Sequence, residues 1–171
     1  VAIAFTEELF AVLSLSLPKR TSGGFQFFDP GELHDGELRL LLRETTPAMS
    51  GRVPTYRFEL VREPDRAKVG ALDLRIGQTP DVLVYAGHIG YRVHEGFRGQ
   101  RYAARASRLV LPLAKMHGLR ELWITCDPDN DASRRTCELI GGELVSTVAV
   151  PKSHPYYQTG SRAKCRFRIL L

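Results

Sequence analysis

Between Glu95 and Ala106 the chain reads EGFRGQRYAARA. Arg98 and Arg101 flank Gly99 and Gln100, and an alanine-rich helical run opens at Tyr102. Two readings fit. One is a basic turn before an ordinary core helix. The other is an anion cradle. The first turn of a helix leaves N–H groups without partners and carries partial positive charge. A glycine in front of it lets an anion reach the backbone. The stretch follows a strand-like run and opens a helix, the context a cradle requires. A nucleotide P-loop is a different pattern, with GK followed by Ser or Thr, and it is not present.

Other residues of reactive type stand downstream and upstream. Asn130, Ser133 and Cys137 are spaced i, i+3 and i+7, so a helix puts them on one face. Asn130 is equally a helix N-cap. His88 lies in a strand-like run and titrates in the range of a general base. Tyr157 sits in SHPYYQTG, a loop entering the last strand, and loops at sheet ends commonly carry function. Asp127 and Asp129 either bind a cationic group or shape their turn.

The elements that must position these residues follow from period and punctuation. Residues 1–17 fit a strand or a short helix, and 18–36 read as loop. Alternation marks strands at 37–44, with Leu38, Leu40 and Leu42 on one face, and at 55–63, 68–77 and 82–93, an antiparallel meander. From Tyr102 the apolar stripe Ala103, Ala106, Leu109, Val110, Leu113 and Met116 is helical, with Pro112 inside it and Gly118 ending it. ELWITC (121–126) is a buried strand. A second helix covers about 131–140, and strands at 143–151 and 164–171 flank a loop. The class is α+β.

The 171 residues, 43% of them hydrophobic, suit one domain with a real core. A net charge of +5 favours anionic partners, including nucleic acid and phosphorylated cofactors, without choosing among them. Three cysteines, an odd count without CxxC spacing, point to a reducing compartment and no metal site. The apolar opening VAIAFTEELFAVLSLSLP has no basic start and is interrupted by Glu7 and Glu8. No run reaches the ~18 apolar residues of a membrane span. The chain is therefore read as soluble and cytoplasmic, with no membrane partner.

FRGQRYAARA resembles the acetyl-CoA loop of the GNAT family of N-acetyltransferases: Gln or Arg, two residues, Gly, one residue, Gly or Ala. Arg98 holds the first position and Ala103 the last, while Arg101 replaces the middle glycine. GHIGYRV resembles the family's fourth strand, and WITCDPDNDASRRTCELIGG its fifth strand and following helix. The match is closest to bacterial members with GHIGY and TCDPDN. The resemblance implies a mixed, mainly antiparallel sheet of about six or seven strands flanked by helices. It implies a GNAT domain over 37–171, with 1–36 as a segment packed on it.

It implies acetyl-CoA as co-substrate. Arg98, Gly99, Gln100, Arg101, Tyr102 and Ala103 would hold the phosphates. Tyr91 and Val93 would offer backbone to the pantetheine arm, with Asn130 and Ser133 on the facing helix. The family's acid, a tyrosine on that helix, corresponds to Cys137. Tyr157 is the other acid candidate, ahead of Tyr156, and His88 the base candidate. The implied reaction is direct attack on the thioester by a primary amine of a small molecule, amino acid or peptide, with no covalent role for Cys126. Two alternatives stand behind it: a non-catalytic CoA-binding module, and a basic nucleic-acid-binding protein, for which no RNP, OB or helix-turn-helix signature is present. A homodimer is left open. Many members place two helices between the first two strands, where this chain has only TTPAMSGRVP; either those helices are absent, or the first strand lies within residues 1–17.

Overall fold

The computed structural model describes residues 24–63 and 65–171. The strand or helix expected within 1–17 lies outside them. Five strands form one antiparallel sheet in chain order: β1 Leu33–Asp35, β2 Leu38–Thr46, β3 Thr55–Arg62, β4 Ala67–Arg75 and β5 Ile89–Val93. β6 Glu121–Cys126, β7 Glu143–Ala149 and β8 Ala163–Leu170 form a second antiparallel sheet, ordered β6-β8-β7. The helices are α1 Tyr102–Met116, α2 Asp131–Leu139 and the short α3 Pro155–Gln158.

The α+β class and the meander hold, with four differences. The sheet is divided, and the described strands number eight. The 18–36 loop contains β1, whose Leu33 pairs with Leu40 of β2. The SHPYYQTG loop contains α3, started by Pro155 and capped by His154 accepting the Tyr156 N–H. The expected strand at 82–93 is half a strand. Val82–Ala86 instead winds into one wide helical turn, closed by the Gly87 N–H on the Val82 carbonyl at 2.9 Å. An unbroken apolar run such as VLVYA does not by itself separate strand from buried turn.

The core is one face of the meander closed by α1. Leu38 and Leu40, Tyr56, Phe58 and Leu60, and Leu72 and Leu74 alternate inward and meet Ala106, Val110 and Leu113 of α1. Leu42 shares their parity yet is exposed, because the register shifts between Leu42 and Glu44 and a bulge re-aims side chains. α1 runs on through Pro112 and ends before Gly118, at φ 81°. The outward face of the meander is charged instead. Arg43 and Lys68 flank Glu59, and Glu44, Arg57, Asp73 and Arg75 form an alternating row. No helix separates β2 from β3.

The N-terminal described residues are fastened at the far end of α1. The Tyr56 hydroxyl accepts the Phe28 N–H at 2.7 Å and lies 2.7 Å from His117 Nε2, while Phe25 stacks on the same imidazole. Burial holds the His117 pKa below its ordinary value, and burial does the same to His88. A histidine neutral in the fold and freer to charge when unfolded binds more protons in the unfolded state. Its contribution is complete above the unfolded pKa of about 6.5 and is lost as pH falls below it. Chemical denaturation at pH 7 and pH 5.5 should show lower stability at the acid value. The difference should shrink in His117→Asn; an unchanged difference would rule out His117 as a source.

Candidate functional site

The two sheets touch where β5 begins. Gly87 stands at φ 71°, and a Cβ there would lie 3.0 Å from the Trp123 carbonyl and 3.1 Å from the Thr125 nitrogen. Only glycine admits this approach. The His88 N–H then donates to the Trp123 carbonyl at 2.6 Å. The return bond comes from the Trp123 N–H to His88 Nδ1 at 2.9 Å, so a side chain takes the place of a strand carbonyl. Past this point β5 and β6 share no ladder.

The phase of β5 decides what the gap offers. The Arg75 N–H bonds the His88 carbonyl at 2.7 Å, and the His94 N–H bonds the Val69 carbonyl at 2.8 Å. In an antiparallel ladder these bonding positions recur every second residue. Gly90 and Arg92 therefore face β4, while Ile89, Tyr91 and Val93 turn their N–H and C=O groups toward the gap. That gap is a cleft of about 610 Å³. Its walls are Tyr91–Val93, the loop 97–103 and one face of α2.

The loop delivers positive charge. Gly99 at φ 81° and Arg101 at φ 57° both take the left-handed conformation, turning the chain sharply into α1. No side chain at Arg101 caps α1, so the first N–H groups of the helix are not taken by that residue. Arg92, Arg98, Arg101 and Arg135 stand around the cleft. On the far wall Asn130 Oδ1 accepts the Ser133 N–H at 3.0 Å, the N-cap expected of it. The Tyr91 hydroxyl reaches across to Ser133 Oγ at 2.9 Å, and burial raises its pKa, so it stays protonated.

Of the residues singled out in sequence, Tyr91, Val93, Arg98, Gly99, Arg101, Tyr102, Ala103, Asn130 and Ser133 line this one cleft. Gln100 does not; it is exposed and turned away between two left-handed residues. Cys137 does not line it either, being fully buried beneath the Tyr91–Ser133 contact. The neighbouring Cys126 thiol, together with burial, holds the Cys137 pKa above its ordinary range, and the same pairing draws Cys126 down. His88 faces away, into a pocket of about 160 Å³ with Glu121, Trp123 and Arg166. Its Nδ1 is an acceptor for an amide and its Nε2 is buried, so it is no base for chemistry in the cleft. Tyr157 lies on α3 with the Arg162 guanidinium 3.9 Å over its ring, outside the cleft lining. The Tyr91 side chain and the structural use of His88 escaped sequence reasoning. For Arg92 the available signal was its place on the strand beside Tyr91.

Residues 15–143 match the family model of the acetyltransferase (GNAT) domain. No curated protein matches the chain. Among solved structures, a GNAT-family acetyltransferase from Bacillus anthracis is 21% identical, with TM-score 0.52 over 67% of this chain and 65% of that one. The ribosomal-protein-S5-alanine acetyltransferase from Vibrio fischeri is 18% identical, with TM-score 0.54 over 68% and 61%. The microcin C7 self-immunity acetyltransferase, solved with acetyl-CoA and AMP, is 16% identical, with TM-score 0.53 over 68% and 61%. The matched part thus spans under two thirds of the length of each of these three.

The role of His88 has a direct check. Asparagine at this position retains a side-chain acceptor for the Trp123 amide; leucine retains only volume. His88→Leu should cost about 1–3 kcal/mol by denaturant titration, the cost of a buried donor left unpaired, with His88→Asn losing less. Equal losses would mean that packing, not the hydrogen bond, is what His88 supplies.

Proposed function

Because the chain belongs to the GNAT acetyltransferase family, we propose that it moves the acetyl group of acetyl-CoA to a primary amine. The observation that carries this reading is the backbone edge of β5 at Tyr91 and Val93, which among the described residues pairs with no strand and whose Val93 carbonyl meets only the Arg98 Nε at 3.4 Å, facing a cleft lined with arginines. The pantetheine arm carries two amides, which such an edge pairs as it would a strand. The pyrophosphate and 3′-phosphate match the start of α1 together with Arg98, Arg101, Arg92 and Arg135.

The amine nitrogen attacks the thioester carbonyl carbon. A C–N bond forms, the C–S bond breaks, and its electron pair leaves on the CoA sulfur. The amine proton passes to solvent or to the departing thiolate. The free N–H of Ile89, at the closed end of the gap, is placed to donate to the carbonyl oxygen as it gains charge. The Tyr91 hydroxyl donates a hydrogen bond to the leaving sulfur, a part that buried Cys137 does not reach. A non-catalytic CoA-binding module is the second reading. It is favoured by the absence of His88, Cys137 and Tyr157 from the cleft lining, and amine-dependent thiol release separates the two.

Calorimetric titration of the protein with acetyl-CoA and with CoA tests the site. Gly99→Asn and Gly99→Asp tolerate the left-handed backbone equally but differ by one charge. The asparagine variant should bind within a few-fold of wild type, and the aspartate variant about tenfold or more weakly. Wild type that binds neither ligand would overturn the reading.

A further inference from the structure

A further arginine, Arg75, bears on the acceptor. Gly90 pairs with Asp73 across β4 and β5. A Cβ on Gly90 would meet Arg75 Nη1 at 3.0 Å and Nη2 at 3.2 Å, so the guanidinium occupies the space that a side chain would fill. Arg75 lies on the outward face, opposite the Tyr91 side chain, one residue from the cleft wall. Its side chain is 23% exposed. It is held by the carbonyls of Ala86 at 3.5 Å and Gly87 at 3.3 Å, and by Asp73 at 3.5 Å. Asp73 is itself shared with Arg57 at 3.3 Å, and Arg57 with Glu44 at 2.7 Å. Arg75 is the end of this alternating row, the member nearest the gap.

Among the described residues the inward side of the gap is filled: Ile89 is 1% exposed, and Tyr91 is tied to α2. The side these residues leave for an amine reaching a thioester at the closed end is the outward face, past Arg75. Long, weak contacts to two carbonyls and a shared carboxylate leave a guanidinium able to exchange partners for a stronger one. A carboxylate answers its fork geometry best.

We propose that Arg75, seated over Gly90, selects acceptors that carry a carboxylate beside the reacting amine, as amino acids do. The proposal rests on the acetyl-transfer reading of the cleft. Neither the amine nor its attack on the thioester involves Arg75 in bond making; it positions the acceptor by its anionic group.

The test compares free amino acids with their carboxamides as acceptors, following thiol release from acetyl-CoA. The amides keep the amine and lose the anion. Wild type should favour the acids by about tenfold to a hundredfold in kcat/KM, the worth of a hydrogen-bonded charge. Arg75→Gln should abolish that preference, and Gly90→Ala, which displaces the guanidinium from the opposite strand, should reduce it. Both variants should still bind acetyl-CoA in calorimetry. Equal use of acids and amides by wild type would overturn the proposal, as would an acid preference that survives in Arg75→Gln. Binding of acetyl-CoA with no carboxylate-bearing amine acetylated would also overturn it and leave the cofactor site standing. Loss of acetyl-CoA binding by wild type would instead remove the underlying reading.

Discussion

A glycine and a histidine set the distance at which two sheets part. Gly87 lets the start of β5 press against the backbone of β6, and His88 closes the contact from both sides, by its amide and its ring. The imidazole takes the place that a strand carbonyl would hold for the Trp123 amide, and β5 and β6 share no ladder beyond it. The unpaired edge at Ile89, Tyr91 and Val93, the cleft, and the exposure of that edge to the start of α1 all follow. α1 is in turn tied to both sides of the domain. Arg105 bonds Asp35 and Glu37 near β1, and Arg108 bonds the Leu139 carbonyl at the end of α2. The helix that begins at the arginine loop is thereby held against the wall that faces it.

Much of the frame was legible because its causes are local. The period of α1, the glycine stop at Gly118, the Asn130 cap and the alternation of β2 to β4 each depend on neighbours within a few residues. The arginine–glycine loop announced itself by composition. What sequence could not supply were contacts between distant positions. His88 meets Trp123 across 35 residues, so its type suggested a base while its partners make it a strand end. Cys137 stood at the right helical spacing for chemistry, but Tyr91, 42 residues before Ser133, reaches across and covers it. The wide turn at Val82–Ala86 looked like a strand because an unbroken apolar run has no period of its own, and only Val82 of it is buried.

Among the described residues the outward face of the meander carries Arg43, Glu59, Lys68, Glu44, Arg57, Asp73 and Arg75 in mutually compensating order. Such exposed pairs add little stability. Among the described residues they bound the approach to the closed end of the gap by charge rather than by a hydrophobic wall.

The chain has a single tryptophan, and it is Trp123. Its backbone receives His88, its indole N–H is bound by Glu121 at 3.0 Å, and the Arg166 guanidinium lies 4.3 Å over its ring. The one strong intrinsic fluorophore of the protein is thus built into the point where the strands separate. Its emission is an optical readout of that junction, requiring no attached dye.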